Sequence, residues 1–223
     1  MKVVFFGTPE YAVNVLKSLI DSRHEVVAVV SQPDKPIGRS NKIVPTPVKA
    51  LAIANNIPVF QFGKIWKDDI TDLLAIDADV YMTCAYGQIL GENVLFAKKY
   101  GVINLHGSLL PKYRGASPVQ CALLKNEKVT GVSVLRSGVG MDDGDVMYKE
   151  EIEISDDENA ITLFEKLSHL SASIAPKVLD MLESGEAKFE SQNNEEATHC
   201  SMLKPEMGDL DFSLGVDNII GKI

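Results

Sequence analysis

The sequence predicts an α/β protein, with a Rossmann-like open sheet that is mostly parallel and has helices on both faces. First, the chain begins with a β-α-β unit: an apolar strand at 2–6, a helix at 9–22 and a strand at 25–31. Second, the later strand is apolar from Val26 to Val30, as a central parallel strand covered on both faces requires. Third, strands and helices continue to alternate up to about residue 124.

Hydrophobic periodicity and turn residues predict the elements of this first part in order. In the helix at 9–22, Ala12, Val15, Leu16 and Leu19 lie on roughly one face. Pro47 suits the first turn of a helix at 46–55, where a missing N–H needs no partner. The remaining predicted elements are strands at 58–60, 79–85 and 101–105 and helices at about 68–74, 92–98 and 116–124.

The second part of the chain has a different pattern. Strands at 131–135 and 145–154, joined by an acidic loop, predict a hairpin-like addition to the sheet edge. The longest helix is expected at 160–182, although Pro176 should kink or break it. We expect a catalytic domain at 1–190, a polar and acidic linker-like segment at 191–207, and at 208–223 the start of a region leading to a C-terminal domain.

Composition narrows the class of protein. Of 223 residues, 45% are hydrophobic and 24% are charged. No apolar run approaches the roughly 18 residues of a membrane span, and the first strand meets Gly-Thr-Pro too early for a signal peptide. These features predict a soluble, cytoplasmic protein. Cys84, Cys121 and Cys200 are odd in number and far apart, which favours neither a disulfide framework nor a zinc site.

The charge is unevenly distributed along the chain. The net charge of −9 alone argues against a nucleic-acid partner. Residues 1–140, however, carry 16 Lys and Arg against 11 Asp and Glu, or +5, while residues 141–223 carry 6 against 20, or −14. Backbone phosphates of a nucleic acid would therefore be met by the amino-terminal part.

One short run carries most of the information on function. A strand ending in Asn104 and His106 places both side chains on one face, because side chains two residues apart point the same way. Glycines and prolines make 108–118 a shaped loop at the carboxyl end of that strand, where ligands bind in open α/β sheets. Asp142 lies in a turn-rich acidic loop, and a carboxylate near an imidazole orients it and favours its charged form. Together the three form a proton-handling constellation.

These motifs resemble those of the folate-dependent formyltransferase family. The family's Asn-x-His motif, followed by Ser-Leu-Leu-Pro, is intact at Asn104, His106 and 108–111, and its Asp-x-Gly loop maps onto Asp142. The opening at 5–12 and the insert at 31–39, continuing to 45–49, are similar to the tRNA-specific branch in particular. The resemblance covers essentially all 223 residues.

The resemblance implies an activity and a site. It implies transfer of a formyl group from 10-formyltetrahydrofolate, the co-substrate, to the α-amino group of initiator methionyl-tRNA, without a metal, a membrane or an obligate protein partner. Asn104 and protonated His106 would stabilise the oxyanion, while Asp142 would keep His106 charged and relay the proton through water from the nucleophile to the leaving nitrogen. The residues implied to bind the folate are Tyr86, Gly87, Gln88, Leu90, Ser108, Leu109, Leu110, Pro111 and Gly140.

The resemblance also implies contacts with tRNA. The insert at 33–49 is basic and interrupted by glycine and proline, which suits either a solvated surface loop or a mobile loop that orders on phosphates. The resemblance favours the second, with Arg39 and Lys42 as contacts and Lys112 and Arg114 beside the catalytic strand. Members of the tRNA branch continue into a small C-terminal β-barrel, and we expect this chain to be the catalytic domain without it.

Three alternatives can be compared with this interpretation. A dinucleotide-dependent oxidoreductase is disfavoured because the turn at 6–9 lacks G-x-G-x-x-G. A formyltransferase for a sugar amine or for glycinamide ribonucleotide is disfavoured by the insert at 32–49, and a non-catalytic folate or RNA-binding module by the intact Asn104, His106 and Asp142. Asp143 departs from the branch, which usually has a small residue there, and either raises a neighbour's pKa or faces solvent.

Overall fold

A computed structural model describes residues 1–37 and 42–213, together with positions 216 and 219. Within this part the strands are β1 (Lys2–Gly7), β2 (Glu25–Ser31), β3 (Lys35–Ile37), β4 (Lys42–Val44), β5 (Val59–Gln61), β6 (Val80–Cys84), β7 (Val102–His106), β8 (Arg114–Gly115), β9 (Val129–Arg136), β10 (Val146–Glu153) and β11 (His199–Cys200). The α-helices are α1 (Val13–Ile20), α2 (Pro47–Ala54), α3 (Thr71–Ala75), α4 (Glu92–Leu95), α5 (Pro118–Leu124) and α6 (Ala160–Ser184).

The main sheet has the order β10-β9-β7-β6-β1-β2-β5 among the described residues. The five strands from β7 to β5 are parallel, whereas β9 is antiparallel to β7 and β10 to β9. The predicted mostly parallel sheet with an added edge hairpin is confirmed. From β1 the chain builds outward to β2 and β5 and then returns to β6 and β7 on the other side. The crevice between the carboxyl ends of β1 and β6 is therefore the topological switch point, where such folds bind ligands.

Helices cover both faces of this sheet, as predicted. On one face, α1, α2, α5 and α6 pack over a core that includes Phe5, Leu16 and Leu167. On the other, α3 and α4 pack over a second core around Phe6 and Tyr81. Alternate residues of β1 enter opposite cores, because side chains alternate across a strand. The site loops at the carboxyl edge thus rest on a sheet buried from both sides.

Helix α6 differs from the expectation in one respect. It runs without interruption through Pro176, so the predicted break is wrong. An interior proline removes one backbone hydrogen bond, but here its neighbours Ala175 and Val178 are fully buried against the sheet. The helix begins with a capping box at Asn159 and ends at Gly185, which has a φ of 77°. Packing and caps together maintain the helix across the proline.

Two small pairings were not predicted. Strands β3 and β4 form an antiparallel hairpin in the basic insert, and β8 pairs with β11 in parallel across 85 residues of chain.

Residues 190–200, which we call the strap, contain β11 and lie on the site loops, as described below. The predicted division at 191 and 208 stays a prediction, although the strap contacts the preceding domain. No helix within the described ranges is long and apolar enough to cross a membrane.

Candidate active site

The structure brings Asn104, His106 and Asp142 together. The first two lie at the end of β7, and Asp142 comes from the loop between β9 and β10. Asn104 Nδ2 donates to Asp142 Oδ1 at 3.3 Å, and His106 Nδ1 lies 3.6 Å from Asp142 Oδ2. This convergence follows from topology, since β9 pairs beside β7 and opposes Ser133 to His106. The three side chains therefore form one contiguous cluster, and their role as a site stays a prediction.

The imidazole of His106 is held by a backbone group that the sequence does not reveal. Its Nε2 lies 2.9 Å from the carbonyl oxygen of Tyr113, which can only accept, so Nε2 carries a proton. The nitrogen that faces Asp142 and can gain or lose a proton is therefore Nδ1. The side chain is 6% exposed, and Tyr113 has a φ of 59° that turns its carbonyl toward the ring. The shape of loop 108–115 thus determines which nitrogen acts.

Asp142 is oriented by the same loop. Its Oδ2 accepts from the backbone N–H of Gly115 at 2.8 Å, and its side chain is 18% exposed. Gly115 has a φ of 117°, and a Cβ there would lie 2.2 Å from the carbonyl oxygen of Cys200, so only glycine fits. Asp142 itself has a φ of 50°, in the left-handed region that Asp tolerates better than most residues. The carboxylate therefore meets Asn104, His106 and a backbone amide at once.

Thr83 orients the amide of Asn104. This threonine lies opposite Asn104 in the β6–β7 register, and its hydroxyl donates to Asn104 Oδ1 at 2.8 Å. The Nδ2 group of Asn104 is consequently directed to Asp142 and the site. Thr83 was not among the predicted residues, yet a polar residue at the end of the neighbouring strand is a signal that could have identified it.

The predicted folate loop at 108–111 is fixed from beneath by Ser133. Its hydroxyl donates to the carbonyl of Ser108 at 2.7 Å and accepts from the N–H of Leu110 at 2.9 Å. Ser108 in turn donates to the carbonyl of Lys112 at 2.7 Å, and the Leu110–Pro111 peptide is cis. Leu110 is buried, whereas Leu109 and Pro111 are partly exposed beside the site.

The second predicted folate loop, 86–90, lies at the switch point. The hydroxyl of Thr8 donates to the carbonyl of Tyr86 at 2.9 Å, which joins the ends of β1 and β6. Gln32 Nε2 donates to the carbonyls of Tyr86 and Gly87, each at 3.0 Å, and Gly87 has a φ of 83°. The side-chain amide of Gln88 bonds to the backbone of residues 62 and 65, so it is engaged within the protein. Leu90 is partly buried against the second core.

Gly140 and Asp143 contact each other within the acidic loop. A Cβ at Gly140 would lie 2.0 Å from Asp143 Oδ2, so the two residues pack directly together in the acidic loop. Asp143 is exposed, and its Oδ1 also lies 3.3 Å from where a Cβ of Gly138 would be. Of the two alternatives left open, the structure favours an exposed carboxylate that folds over the glycines of the loop.

The four predicted tRNA contacts differ in accessibility. Lys42 on β4 and Lys112 are exposed, as a phosphate contact requires. Arg39 lies outside the described residues. Arg114 is only 5% exposed, and its Nη2 donates to Gln192 Oε1 at 2.8 Å and to Asn194 Oδ1 at 2.9 Å. This guanidinium is therefore engaged inside the protein, which corrects its predicted place at the tRNA surface.

The strap supplies groups that sequence reasoning missed. Gln192 Nε2 donates to the carbonyls of Asp142 and Gly144 at 2.8 and 2.7 Å. Thr198 accepts from the N–H of Tyr113 at 2.8 Å through its hydroxyl and from the N–H of Arg114 at 2.9 Å through its carbonyl. No local pattern indicates these contacts, because they join residues about 50 to 85 positions apart.

Two cavities lie near the predicted folate loops, and none of Asn104, His106 and Asp142 lines either of them. One of about 430 Å³ is bordered by Pro111, Tyr148 and Gln192, and one of about 140 Å³ by Thr8, Gln32 and Val44. The larger is within the size range of small-molecule sites. Both adjoin predicted folate loops.

Two buried cysteines and one cluster of possible metal ligands lie outside the cluster of Asn104, His106 and Asp142. Burial raises the pKa of Cys84 to about 12 and that of Cys200 to about 11, so both thiols stay protonated near neutral pH. Among the described residues, His24, Asp180 and Glu183 have ligand atoms near enough for a metal. The two carboxylates are already ion-paired with Arg23 at 2.6 and 2.5 Å, at the opposite edge of the sheet.

Residues 1–179 match the family model described as formyl transferase, so the fold and the cluster at its carboxyl edge belong to a one-carbon group transferase of the formyltransferase class. A methionyl-tRNA formyltransferase of Sulfurihydrogenibium sp. is 43% identical over 100% of this chain and 72% of its own length, and one of Agathobacter rectalis is 43% identical over 96% and 69%. The chain belongs to the methionyl-tRNA formyltransferase family.

A solved structure agrees on the fold. A sugar 3-N-formyltransferase, crystallised with dTDP and 5-N-formyltetrahydrofolate, superposes with a TM-score of 0.80 over 100% of this chain and 78% of that one. At 22% identity this likeness shows the fold alone.

Proposed function

We propose that this chain transfers the formyl group of 10-formyltetrahydrofolate to the α-amino group of initiator methionyl-tRNA, and that it acts in the cytoplasm. The observation that carries the proposal is the convergence of Asn104, His106 and Asp142, with Asp142 within 3.3 Å of Asn104 Nδ2 and 3.6 Å of His106 Nδ1. Family membership supplies the choice of donor and acceptor.

The geometry supports a division of roles. When bound, the folate would supply an activated formyl carbon. The formyl oxygen gains negative charge as the amine attacks that carbon and loses it as the bond to the folate nitrogen breaks, and donors aimed at that charge lower the barrier. Asn104 offers Nδ2, because Thr83 occupies its oxygen, and His106 offers Nδ1, because Tyr113 occupies Nε2. Two donors on one strand thus face the same position.

Asp142 completes the proton balance. The amine must lose one proton as it forms the new bond, and the folate nitrogen must gain one as it leaves. Asp142 stays between the two donors through its bond from the Gly115 N–H, so it can accept that proton through water and return it. Its Oδ2 also lies 3.6 Å from His106 Nδ1, so the two side chains can act together.

The tRNA would lie along the exposed basic residues. Lys42 and Lys112 are the described candidates for phosphate contacts, and Arg39 remains a proposal from sequence. The folate would lie against the loops at 86–90 and 108–111 and near Gly140.

The decisive experiment is a formylation assay with several acceptors. The purified chain and 10-formyltetrahydrofolate are incubated with initiator methionyl-tRNA, uncharged tRNA, free methionine, a nucleotide-linked amino sugar or glycinamide ribonucleotide. We expect formylation of methionyl-tRNA alone, at a rate about two to four orders of magnitude lower when Asp142→Asn replaces the wild type. Formylation of the sugar amine or the ribonucleotide, without methionyl-tRNA, would contradict the proposal and favour a different branch.

A further inference from the structure

We propose that Gln192 is a positioning residue for this site, which together with Arg114 fixes the two loops that carry Asp142 and the carbonyl partner of His106. The inference rests on the proposed formyl transfer. Gln192 lies in the strap, beyond residues 1–179 that the family model matches. Its role follows from where its two amide atoms bind.

The amide nitrogen of Gln192 controls the backbone of Asp142. Nε2 donates to the carbonyl of Asp142 at 2.8 Å and to that of Gly144 at 2.7 Å. Asp142 has a φ of 50°, in the left-handed region that an L-residue adopts only where its surroundings hold it there. Two hydrogen bonds from one rigid amide, on either side of residue 143, hold it in that region.

The amide oxygen of Gln192 is fixed by Arg114. Oε1 accepts from Arg114 Nε at 3.1 Å and from Nη2 at 2.8 Å, a two-point contact that a planar guanidinium makes in one orientation. Arg114 is 5% exposed, and no carboxylate of the described residues lies within 4.0 Å of it. A buried cation with only amide acceptors is costly, so these acceptors determine its place. The amide of Gln192 therefore cannot turn around, and Nε2 must face Asp142.

The hydrogen bonds between Arg114 and Gln192 also affect the position of His106. Arg114 directly follows Tyr113, whose carbonyl lies 2.9 Å from His106 Nε2. One side chain thus ties the backbone behind Asp142 to the backbone that holds the imidazole. The two groups are 3.6 Å apart at Nδ1 and Oδ2, and a shift of about 1 Å in such a geometry can cost about 100-fold in rate. We therefore expect the loss of Gln192 to lower turnover more than binding.

Two substitutions separate the roles of the amide. Gln192→Met keeps the length and removes both polar atoms. Gln192→Glu keeps the acceptor for Arg114, which preserves the loop packing, but places an oxygen against the carbonyls of Asp142 and Gly144. Ser191→Ala is the matched control, since Ser191 is the neighbour of Gln192 in the strap and its Oγ donates to Asp145 Oδ1 at 2.8 Å, away from Asp142 and Arg114.

The measurements are steady-state kinetics with methionyl-tRNA, kcat against pH, and an NMR titration of His106 in each purified protein. We expect both Gln192 variants to lose about 10- to 100-fold in kcat with both KM values within about threefold of wild type. We also expect their kcat–pH profile and His106 titration to shift, whereas Ser191→Ala matches wild type.

The possible failures can be distinguished. If the wild type does not formylate methionyl-tRNA, the proposed function fails, and the His106 titration still tests Gln192. If the wild type is active and folded Gln192→Glu keeps wild-type kcat and His106 titration, the positioning role is overturned. A rise in KM alone would also overturn it, because it would indicate binding rather than positioning.

Discussion

At the scale of single residues, the site is specified partly by side chains and partly by backbone. Asn104 and His106 could be predicted, because a two-residue spacing on a strand places them on one face. Asp142 could be predicted from the acidic loop and the family resemblance. The role of the Tyr113 carbonyl could not be predicted, because its direction depends on a φ of 59°, and a tyrosine does not favour this angle. The choice between Nδ1 and Nε2 of His106 therefore came only from the structure.

The roles of these residues make a kinetic prediction. We expect His106→Ala and Asp142→Asn each to lower kcat by about two to four orders of magnitude, because each removes a donor or proton acceptor used as charge develops. Far-ultraviolet circular dichroism and single-turnover formylation of methionyl-tRNA are the measurements. Asp143→Asn is the control, since Asp143 is exposed on the same loop. A folded variant within about tenfold of wild type would remove its residue from the mechanism.

At the scale of elements, long buried strands and helices were predicted well, whereas short pairings were not. The bounds predicted for β2 are those observed, because its apolar run is continuous. Strands of two or three residues, such as β8 and β11, carry no period and exist through contacts with distant chain. The break expected at Pro176 was wrong because burial of α6 outweighs one missing hydrogen bond. Tertiary contacts decide where local signals are weak.

The basic insert at 33–49 contains one lysine that is bonded within the protein and one that is exposed. Lys49 Nζ donates to Asp34 Oδ2 at 2.6 Å and to Gln61 Oε1 at 2.7 Å, and the bond from Lys49 holds the pKa of Asp34 below its usual range. Lys42 is exposed on β4. Two lysines of the same insert therefore have different roles.

We expect Lys42→Ala to weaken tRNA binding and to lower the slope of log affinity against log salt by about 1, because one phosphate contact is lost. Filter binding at several salt concentrations measures this slope. Equal salt slopes for Lys42→Ala and wild type would show that Lys42 does not contact phosphate.

Lys49→Met should instead lower the free energy of unfolding by about 1 kcal/mol, because it leaves Asp34 without its cation. Urea unfolding of the variant and the wild type measures this difference.

At the scale of the whole molecule, the sheet separates two regions with different tasks. The carboxyl edge carries the site, and the opposite edge joins the amino terminus to α6. Strand order could not be read from the sequence, because β6 and β7 return across β1 rather than continue beyond β5. The β-α-β repeat predicts parallel strands, but the position of the switch point depends on which side each crossover takes.

The opposite edge contains a buried histidine within a charged cluster. His24 has a fully buried side chain, its Nδ1 lies 3.1 Å from the terminal amine of Met1, and its Nε2 lies 3.1 Å from Asp180 Oδ1. Arg23 and Glu183 complete the cluster. Burial, followed by the positive amine, lowers the pKa of His24, and the attraction of Asp180 opposes this only in part. The folded protein therefore prefers neutral His24.

This preference predicts how stability depends on pH. Since the unfolded chain titrates His24 near its ordinary pKa of about 6.5, it binds more protons than the folded chain just below that pH. The contribution of His24 is thus fully present above about pH 6.5 and is lost as the pH falls through the lower folded pKa. The carboxylates of Asp180 and Glu183, whose pKa values are also lowered, act in a separate window near pH 4 and below.

Replacement of His24 by Gln should flatten this dependence. Urea unfolding of the wild type and of His24→Gln, measured at pH 5.5, 6.5 and 7.5 with the native amino terminus, provides the comparison. We expect the wild type to lose up to about 1 kcal/mol more than the variant between pH 6.5 and 5.5, because only the wild type must protonate a buried imidazole beside an amine. His106 and the other histidines are common to both proteins, so they cancel in the difference. Identical pH dependence in the two proteins would mean that His24 takes up its proton as readily in the fold as in water.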